Sequence, residues 1–142
     1  MDISEINTEA DLIETDDLIY KEAVNLFEGQ NKILFLGGDH ALIYPLTRWF
    51  FDYSEINGRE PALIFFDAHP DLMEPVDNKI PTHEEWLKAL INDGFNPKNI
   101  LLIGVRNSDP SELKVINELG IITEISSVLC PLDVRNPILW IF

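Results

Sequence analysis

Apolar and polar positions follow two periodicities along the chain, and their alternation predicts strands separated by helices. Runs that are almost wholly apolar predict buried strands over residues 33–36, 62–66, 100–103 and 121–125. Between these runs, apolar residues recur three and four positions apart, which predicts helices over residues 18–27 and from Pro45 onward. Because such strands alternating with helices are typical of right-handed βαβ units, we expect an α/β fold on a parallel sheet.

Capping residues mark the starts of two further helices. Thr82 and Glu85 have the spacing of a capping box. The apolar stripe behind them consists of Trp86, Leu87, Leu90 and Ile91. Asp109 stands before a proline and three residues before Glu112, which predicts another helix N-terminus. We expect the inward face of that helix to carry Leu113, Ile116 and Leu119.

The composition fits one domain in a reducing compartment. A chain of 142 residues, 46% of them apolar, can bury a packed core. Its 25 acidic and 10 basic residues give a net charge of −15, which argues against nucleic acids and anionic membranes as partners. No apolar run approaches the ~20 residues of a transmembrane helix. The single cysteine, Cys130, leaves no internal disulfide, so we expect a cytoplasmic protein. We expect one domain over residues 1–142 with an acidic, frayed start at residues 1–16.

Two of the predicted strands end in clusters of polar residues. The strand at 33–36 is followed by Gly-Gly-Asp-His at residues 37–40, and the strand at 62–66 by Asp-Ala-His-Pro-Asp at residues 67–71. Ligands of open parallel sheets bind beyond the carboxyl ends of the strands, where these clusters lie. An extended backbone after the second strand would turn Asp67, His69 and Asp71 to one side, and His40 would reach them from the neighbouring loop.

These four side chains offer the chemistry of a metal site. Carboxylate oxygens together with imidazole nitrogens suit Mn²⁺, Fe²⁺, Zn²⁺ or Ni²⁺. A carboxylate such as Asp67 can also bridge two cations, as a two-metal hydrolytic site requires. The alternative is structural: Asp39 or Asp67 would cap a helix, and His69 would be an ordinary polar residue of a turn.

Three motifs resemble, in chain order, the signatures of the ureohydrolase family. They are residues 37–40, residues 67–71 and Gly-Val-Arg at residues 104–106. That family includes arginase, agmatinase and formimidoylglutamase, which are α/β enzymes with a binuclear manganese centre that hydrolyse guanidino or related groups. The resemblance covers about residues 31–125, and residues 39–45 are most similar to the agmatinases. It implies an arginase-like, three-layer parallel sheet with helices on both faces.

The resemblance also implies roles for individual residues. His40 and Asp71 would bind one manganese ion, His69 would bind the other, and Asp67 would bridge both. His83 lies at about the spacing of a family histidine that assists substrate binding and proton transfer, although it also suits the first turn of a helix. Asp109 lies where arginases have a substrate-contacting acid, but helix capping explains it better.

The chain departs from the family pattern after the third motif. The family continues to a strand that ends in Ser-x-Asp-x-Asp and supplies two further metal-binding aspartates. The nearest counterpart is residues 132–137, where Asp133 is followed by Arg135 at the position of the second aspartate. We therefore expect an incomplete domain, and whether Asp133 substitutes for a missing ligand stays open.

Two classes of function follow. The first hypothesis is a binuclear-manganese hydrolase of C–N bonds in guanidino-type substrates, agmatinase-like and impaired in this chain. The second is a non-catalytic metal-binding or interaction domain descended from such an enzyme. A nucleotide-binding domain is a weaker third, because the glycines at 37–38 do not form a Gly-x-Gly-x-x-Gly fingerprint. The expected partner is a small guanidino-type substrate, and a homo-oligomer stays open.

Overall fold

A four-stranded parallel sheet lies at the centre of the computed structural model, which describes residues 11–27, 33–76, 80–124 and 138–141. Its strands are β1 (Ala62–Phe66), β2 (Ile100–Ile103), β3 (Ile122–Glu124) and β4 (Ile138–Ile141). Their order across the sheet is β3-β2-β1-β4, and every neighbouring pair runs parallel. The predicted α/β fold on a parallel sheet is confirmed, and β1 and β2 have the predicted bounds.

Among the described residues, four helices connect or flank these strands: α1 (Leu12–Phe27), α2 (Ile43–Ile56), α3 (Trp86–Asn92) and α4 (Pro110–Leu119). Two 3-10 turns, His40–Leu42 and Pro97–Asn99, precede α2 and β2. Residues 12–16, which we expected in a frayed start, are helical. In the part of the chain that the structure describes, no helix combines the length and the apolarity needed to cross a membrane.

The main core lies on the face of the sheet that carries Leu63 and Phe65. Side chains alternate between the two faces of a strand, so Ile100 and Leu102 of β2 share this face. Together they pack with apolar residues of α2, α3 and α4. Trp86, the first residue of α3, is fully buried there and meets the ring of Phe65 edge to face at 5.2 Å. On the other face, a smaller cluster is centred on Ala62, Ile64 and Leu101.

The prediction of a strand at residues 33–36 is wrong. The segment belongs to none of the strands of the described sheet. Leu34 and Leu36 are 76% and 89% exposed. Phe35, in contrast, packs on the cluster between α1 and α2, which consists of Ile19, Ala23, Leu46, Trp49 and Phe50. A strand forms only where a second strand supplies its hydrogen bonds, and an apolar pattern cannot reveal whether that neighbour is present.

Two smaller expectations also change. Leu113 of α4 is 46% exposed, and the helix packs inward through Ile116 and Leu119 instead. The strand predicted at 121–125 is observed as β3, with residue 125 outside the described residues. Cys130 and Asp133 also lie outside them.

An ion pair between α1 and α2 joins these helices. Arg48 Nη2 lies 2.8 Å from Oδ2 of Asp16, which is almost fully buried. The Arg48 guanidinium also lies over the rings of Tyr20 and Tyr44, at 4.8 Å and 5.3 Å from their centroids. Burial raises the pKa of the Asp16 carboxyl, and the positive charge of Arg48 opposes this rise. The positive charge of Arg48 therefore offsets the free-energy cost of burying the Asp16 carboxylate.

Replacing Arg48→Met should lower the free energy of unfolding by about 3 kcal/mol at neutral pH, because it leaves the buried Asp16 carboxylate unpaired. The loss should shrink at acid pH. Without Arg48 the folded state binds a proton on Asp16 more tightly than the unfolded state does, so stability rises as pH falls through the folded-state pKa. Urea denaturation across the pH range measures this. Arg59→Met, at an exposed arginine, is the control, and an equal loss in both variants would contradict the account.

Candidate metal centre

His40 is held by the turn that precedes α2. The side chain of Asp39 caps this turn by accepting a hydrogen bond from the Ala41 N–H at 2.7 Å. A Cβ at Gly37 would clash with the side chain of Leu42, so glycine allows the chain to approach the turn closely. The His40 ring contacts Phe65 of β1 edge to face, with 5.9 Å between the ring centroids. Asp39 therefore has the structural role considered above, because its side chain caps this turn.

Asp67, His69 and Asp71 follow the end of β1 in a loop. The Asp67 N–H donates to the Ile103 carbonyl at 3.1 Å, so the pairing of β1 with β2 continues to this residue. Asp67 Oδ1 accepts a hydrogen bond from the His69 N–H at 2.9 Å. The His69 side chain is largely exposed, whereas the Asp71 side chain is buried.

The structure brings these four side chains together. Asp67 Oδ2 lies 3.3 Å from His40 Nε2, and Asp67 Oδ1 lies 3.4 Å from His69 Nδ1. Asp71 Oδ2 lies 3.0 Å from His40 Nδ1. His40, Asp67 and Asp71 each offer one ligand atom, and these atoms lie within 4.8 Å of one another. His69 lies next to Oδ1 of Asp67, whereas His40 lies next to Oδ2 of the same carboxylate.

Asp71 is the buried member of the group. Burial raises the pKa of its carboxyl, while hydrogen bonds with His40 and Trp86 oppose the rise. The Trp86 indole Nε1–H donates to Asp71 Oδ2 at 2.7 Å. A buried carboxylate flanked by a second acid, Asp67, would gain free energy from a cation at this position.

The third motif, residues 104–106, holds the loop that carries Asp67 and His69. The N–H groups of Arg106 and Asn107 both donate to the carbonyl oxygen of Ala68 at 2.9 Å. Gly104 has a φ of 90°, which L side chains rarely adopt, and a Cβ there would lie 3.4 Å from the backbone oxygen of Asp67. The motif therefore supports the candidate site through its backbone.

His83 and Asp109 lie on the wall of the same cleft but outside the cluster. The cleft has a volume of about 910 Å³, and its lining includes both residues and all four clustered side chains. The His83 side chain is exposed, with its Nε2 3.7 Å from Glu84 Oε1. Asp109 caps α4 by accepting from the Ser111 N–H and side-chain hydroxyl, and these hydrogen bonds lower the pKa of Asp109. The capping role predicted for Asp109 is confirmed.

Three residues at the site were missed in the sequence. Trp86 was identified as a core residue and Glu112 as a capping residue, yet each also bonds to the loop after β1. Asn107 Nδ2 lies 2.8 Å from His69 Nε2. These contacts join residues 15 to 40 positions apart, so a local pattern gives no signal for them.

Comparison with known proteins identifies the family. The model of the arginase family matches residues 1–127 of the chain. The chain belongs to the arginase family. It is 28% identical over 108 residues to the N(1)-aminopropylagmatine ureohydrolase of Thermus thermophilus, across 76% of this chain and 34% of that protein. It is 32% identical over 115 residues to the agmatinase of Blochmanniella floridana, across 72% of this chain and 36% of that protein.

A solved structure supports the same fold. The formimidoylglutamase of Bacillus subtilis superposes with a TM-score of 0.71 at 18% identity, covering 82% of this chain and 36% of that chain. The fold of this arginase-family chain therefore follows the arginase-like expectation. The chain spans about a third of the length of these three relatives.

Gly104→Ala should lower the free energy of unfolding by about 2 kcal/mol, because alanine is strained at the φ of this residue. Urea denaturation measures the change. Gly38→Ala is the matched control within another of the three motifs, because a Cβ there would meet no atom within 4 Å. A loss at Gly38 as large as that at Gly104 would contradict the supporting role of the third motif.

Proposed function

We propose that this chain carries part of a binuclear manganese centre that hydrolyses a C–N bond in guanidino-type substrates, as agmatinases do. Membership of the arginase family supports the reaction class. The donor set fits the metal, because two carboxylates and two imidazoles without a thiolate suit a cation such as Mn²⁺.

The orientation of the Asp67 carboxylate is the observation that carries this proposal. One oxygen faces His40 and the other faces His69, at 3.3 and 3.4 Å. A carboxylate turned in this way toward two separate nitrogen ligands suits a bridge between two cations. His40 and Asp71 would hold one manganese ion, His69 would hold the other, and Asp67 would be shared.

The remaining residues of the cleft would act on the substrate. Two cations held at this site would supply Lewis acidity that activates water near neutral pH. His83 would pass a proton to the leaving amine, because its exposed imidazole can exchange protons with solvent. Asp109 would contact the cationic part of the substrate, since its carboxylate lies on the wall of the same cleft.

The charge of the cleft favours a substrate without a carboxylate. Its acidic lining residues are Asp39, Asp67, Asp71, Glu84, Asp109 and Glu112. Among the described residues of this lining there is no lysine or arginine. With Asp67 and Asp71 offset by the proposed cations, Asp39, Glu84 and Asp109 would still attract a guanidinium group, whereas the carboxylate of arginine would find no lysine or arginine partner in this lining. This contrast supports an agmatinase-like preference.

A non-catalytic metal-binding domain is the second candidate. The observation in its favour is the unequal donor set: among the described residues, His40, Asp67 and Asp71 surround one position, whereas Asp67 and His69 alone serve the other. One well-held cation would be enough for a structural or binding role.

Titration with Mn²⁺ should reveal two unequal sites. His69→Ala should remove the weaker site and spare the stronger one, whereas Asp71→Asn should weaken the stronger site, because each residue would serve a different cation. Isothermal titration calorimetry measures both affinities. Glu84→Gln, at an exposed acid of the same cleft, is the control. Identical effects of His69→Ala and Asp71→Asn on one site would contradict the two-cation arrangement.

The 142-residue chain should release little or no urea from agmatine. With few protein ligands at the His69 position, water would be poorly positioned between the two cations, and lost positioning costs orders of magnitude in rate. Asp67→Ala should therefore resemble the unaltered chain in a urea-release assay with agmatine, arginine and guanidinobutyrate. Robust manganese-dependent release by the unaltered chain would contradict this expectation and would make Asp133 the first residue to replace.

A further inference from the structure

Two buried side chains outside the ligand cluster contact Asp71 or its neighbour. We propose that Trp86 and Glu112 are positioning residues that hold Asp71 in its ligand conformation before any cation binds. This inference rests on the proposed metal centre, and it concerns residues that the three motifs do not include.

The backbone of Asp71 needs such support. In the described part of the chain, it is the one non-glycine residue with a positive φ, at 53°. L residues reach this region only at a cost in free energy, although aspartate tolerates it better than most. The carboxylate is also buried, so it must be oriented by the protein rather than by solvent. A conformation of this kind persists only where the surroundings fix it.

Trp86 fixes the carboxylate of Asp71. Its indole Nε1–H donates to Oδ2 at 2.7 Å. The indole itself cannot shift easily, because it is fully buried at the start of α3 and packs edge to face on Phe65 of β1. Phe65 is two residues before Asp67 in the chain. Strand β1 therefore both leads into the candidate ligand Asp67 and packs against Trp86, which donates to the candidate ligand Asp71.

Glu112 fixes the peptide that follows Asp71. Its Oε1 accepts a hydrogen bond from the Leu72 N–H at 2.9 Å, and its Oε2 accepts one from the Asp109 N–H at 2.8 Å. The capping box of α4 needs only the bond to Asp109. The bond to Leu72 joins α4 to the loop after β1, and the side chain is buried between them.

The two contacts together constrain Asp71 on both sides. Trp86 holds the carboxylate and Glu112 holds the backbone one residue later. Groups that orient a metal ligand without touching the metal typically change its affinity 10-fold to 100-fold when they are replaced. Loss of either contact should therefore weaken cation binding although every ligand remains.

The first test compares two tryptophans. Trp86→Phe keeps an aromatic ring in the core and removes the Nε1–H, and we expect Mn²⁺ affinity in calorimetry to fall about 10-fold. Trp49→Phe makes the same chemical change at a buried tryptophan that stacks on Tyr53 in the cluster between α1 and α2. It should leave the affinity unchanged.

The second test compares two glutamates of α4 and covers the case in which Trp86→Phe fails to fold. Gln has a single side-chain oxygen, so Glu112→Gln leaves either Leu72 or Asp109 without its acceptor, and Mn²⁺ affinity should fall about 10-fold. Glu118→Gln, at an exposed residue paired with Lys114, should have no effect. Circular dichroism checks that both variants are folded.

A spectroscopic readout separates positioning from a general loss of stability. The Trp86 indole N–H resonance, assigned by its absence in Trp86→Phe or by its proximity to Phe65, should move when diamagnetic Zn²⁺ is added, because its acceptor becomes a ligand. The Trp49 resonance should not move.

These experiments test the positioning roles of Trp86 and Glu112 separately from the proposed metal centre. If the unaltered chain binds no Mn²⁺, the proposed metal centre is wrong and the inference falls with it. If the unaltered chain binds Mn²⁺ and folded Trp86→Phe and Glu112→Gln bind it equally well, or the Trp86 resonance stays still, the metal centre stands and the positioning roles are overturned. Selective weakening in both variants supports the inference.

Discussion

The parallel pairing of β1 with β2 determines where the candidate chemistry lies. The ladder does not end with the strands: it continues through the Asp67 N–H to Ile103, and the Ala68 carbonyl then accepts from Arg106 and Asn107. Two loops that are far apart in sequence are thereby bonded into one support at the carboxyl edge of the sheet. Asp67 takes its orientation from this support, and its two oxygens face different histidines as a consequence.

Acidic groups are concentrated at this edge at a cost to the metal-free protein. Asp67 and Asp71 approach the same histidine, His40, and the proximity of Asp67 adds to the effect of burial that raises the pKa of Asp71. Such a cluster is stable only because Trp86 and His40 supply hydrogen bonds to the buried carboxylate. The same arrangement would favour cation binding, so under the proposed function the site would lose stability in exchange for metal affinity.

The sequence predicts the strands better than it predicts the contacts among loops. Strands at 62–66 and 100–103 were found at the predicted residues because buried parallel strands are nearly continuous apolar runs. The same signal failed at 33–36, since it contains no information about a pairing partner. The residue types and the strand before Asp67 predicted that the four candidate ligands lie together, although His40 follows a segment that forms no strand of the described sheet. The second role of Glu112 could not be found, because its bond to Leu72 joins residues 40 positions apart.

The proposed metal centre requires Asp67 to bridge two cations held between His40 and His69. Electron paramagnetic resonance of the chain saturated with Mn²⁺ can detect such a bridge, because two Mn²⁺ ions that share one carboxylate lie about 4 Å apart and couple their spins. We expect a spin-coupled signal that Asp67→Asn converts into the signal of isolated Mn²⁺. A saturated chain that shows only isolated Mn²⁺, with or without Asp67, would contradict it.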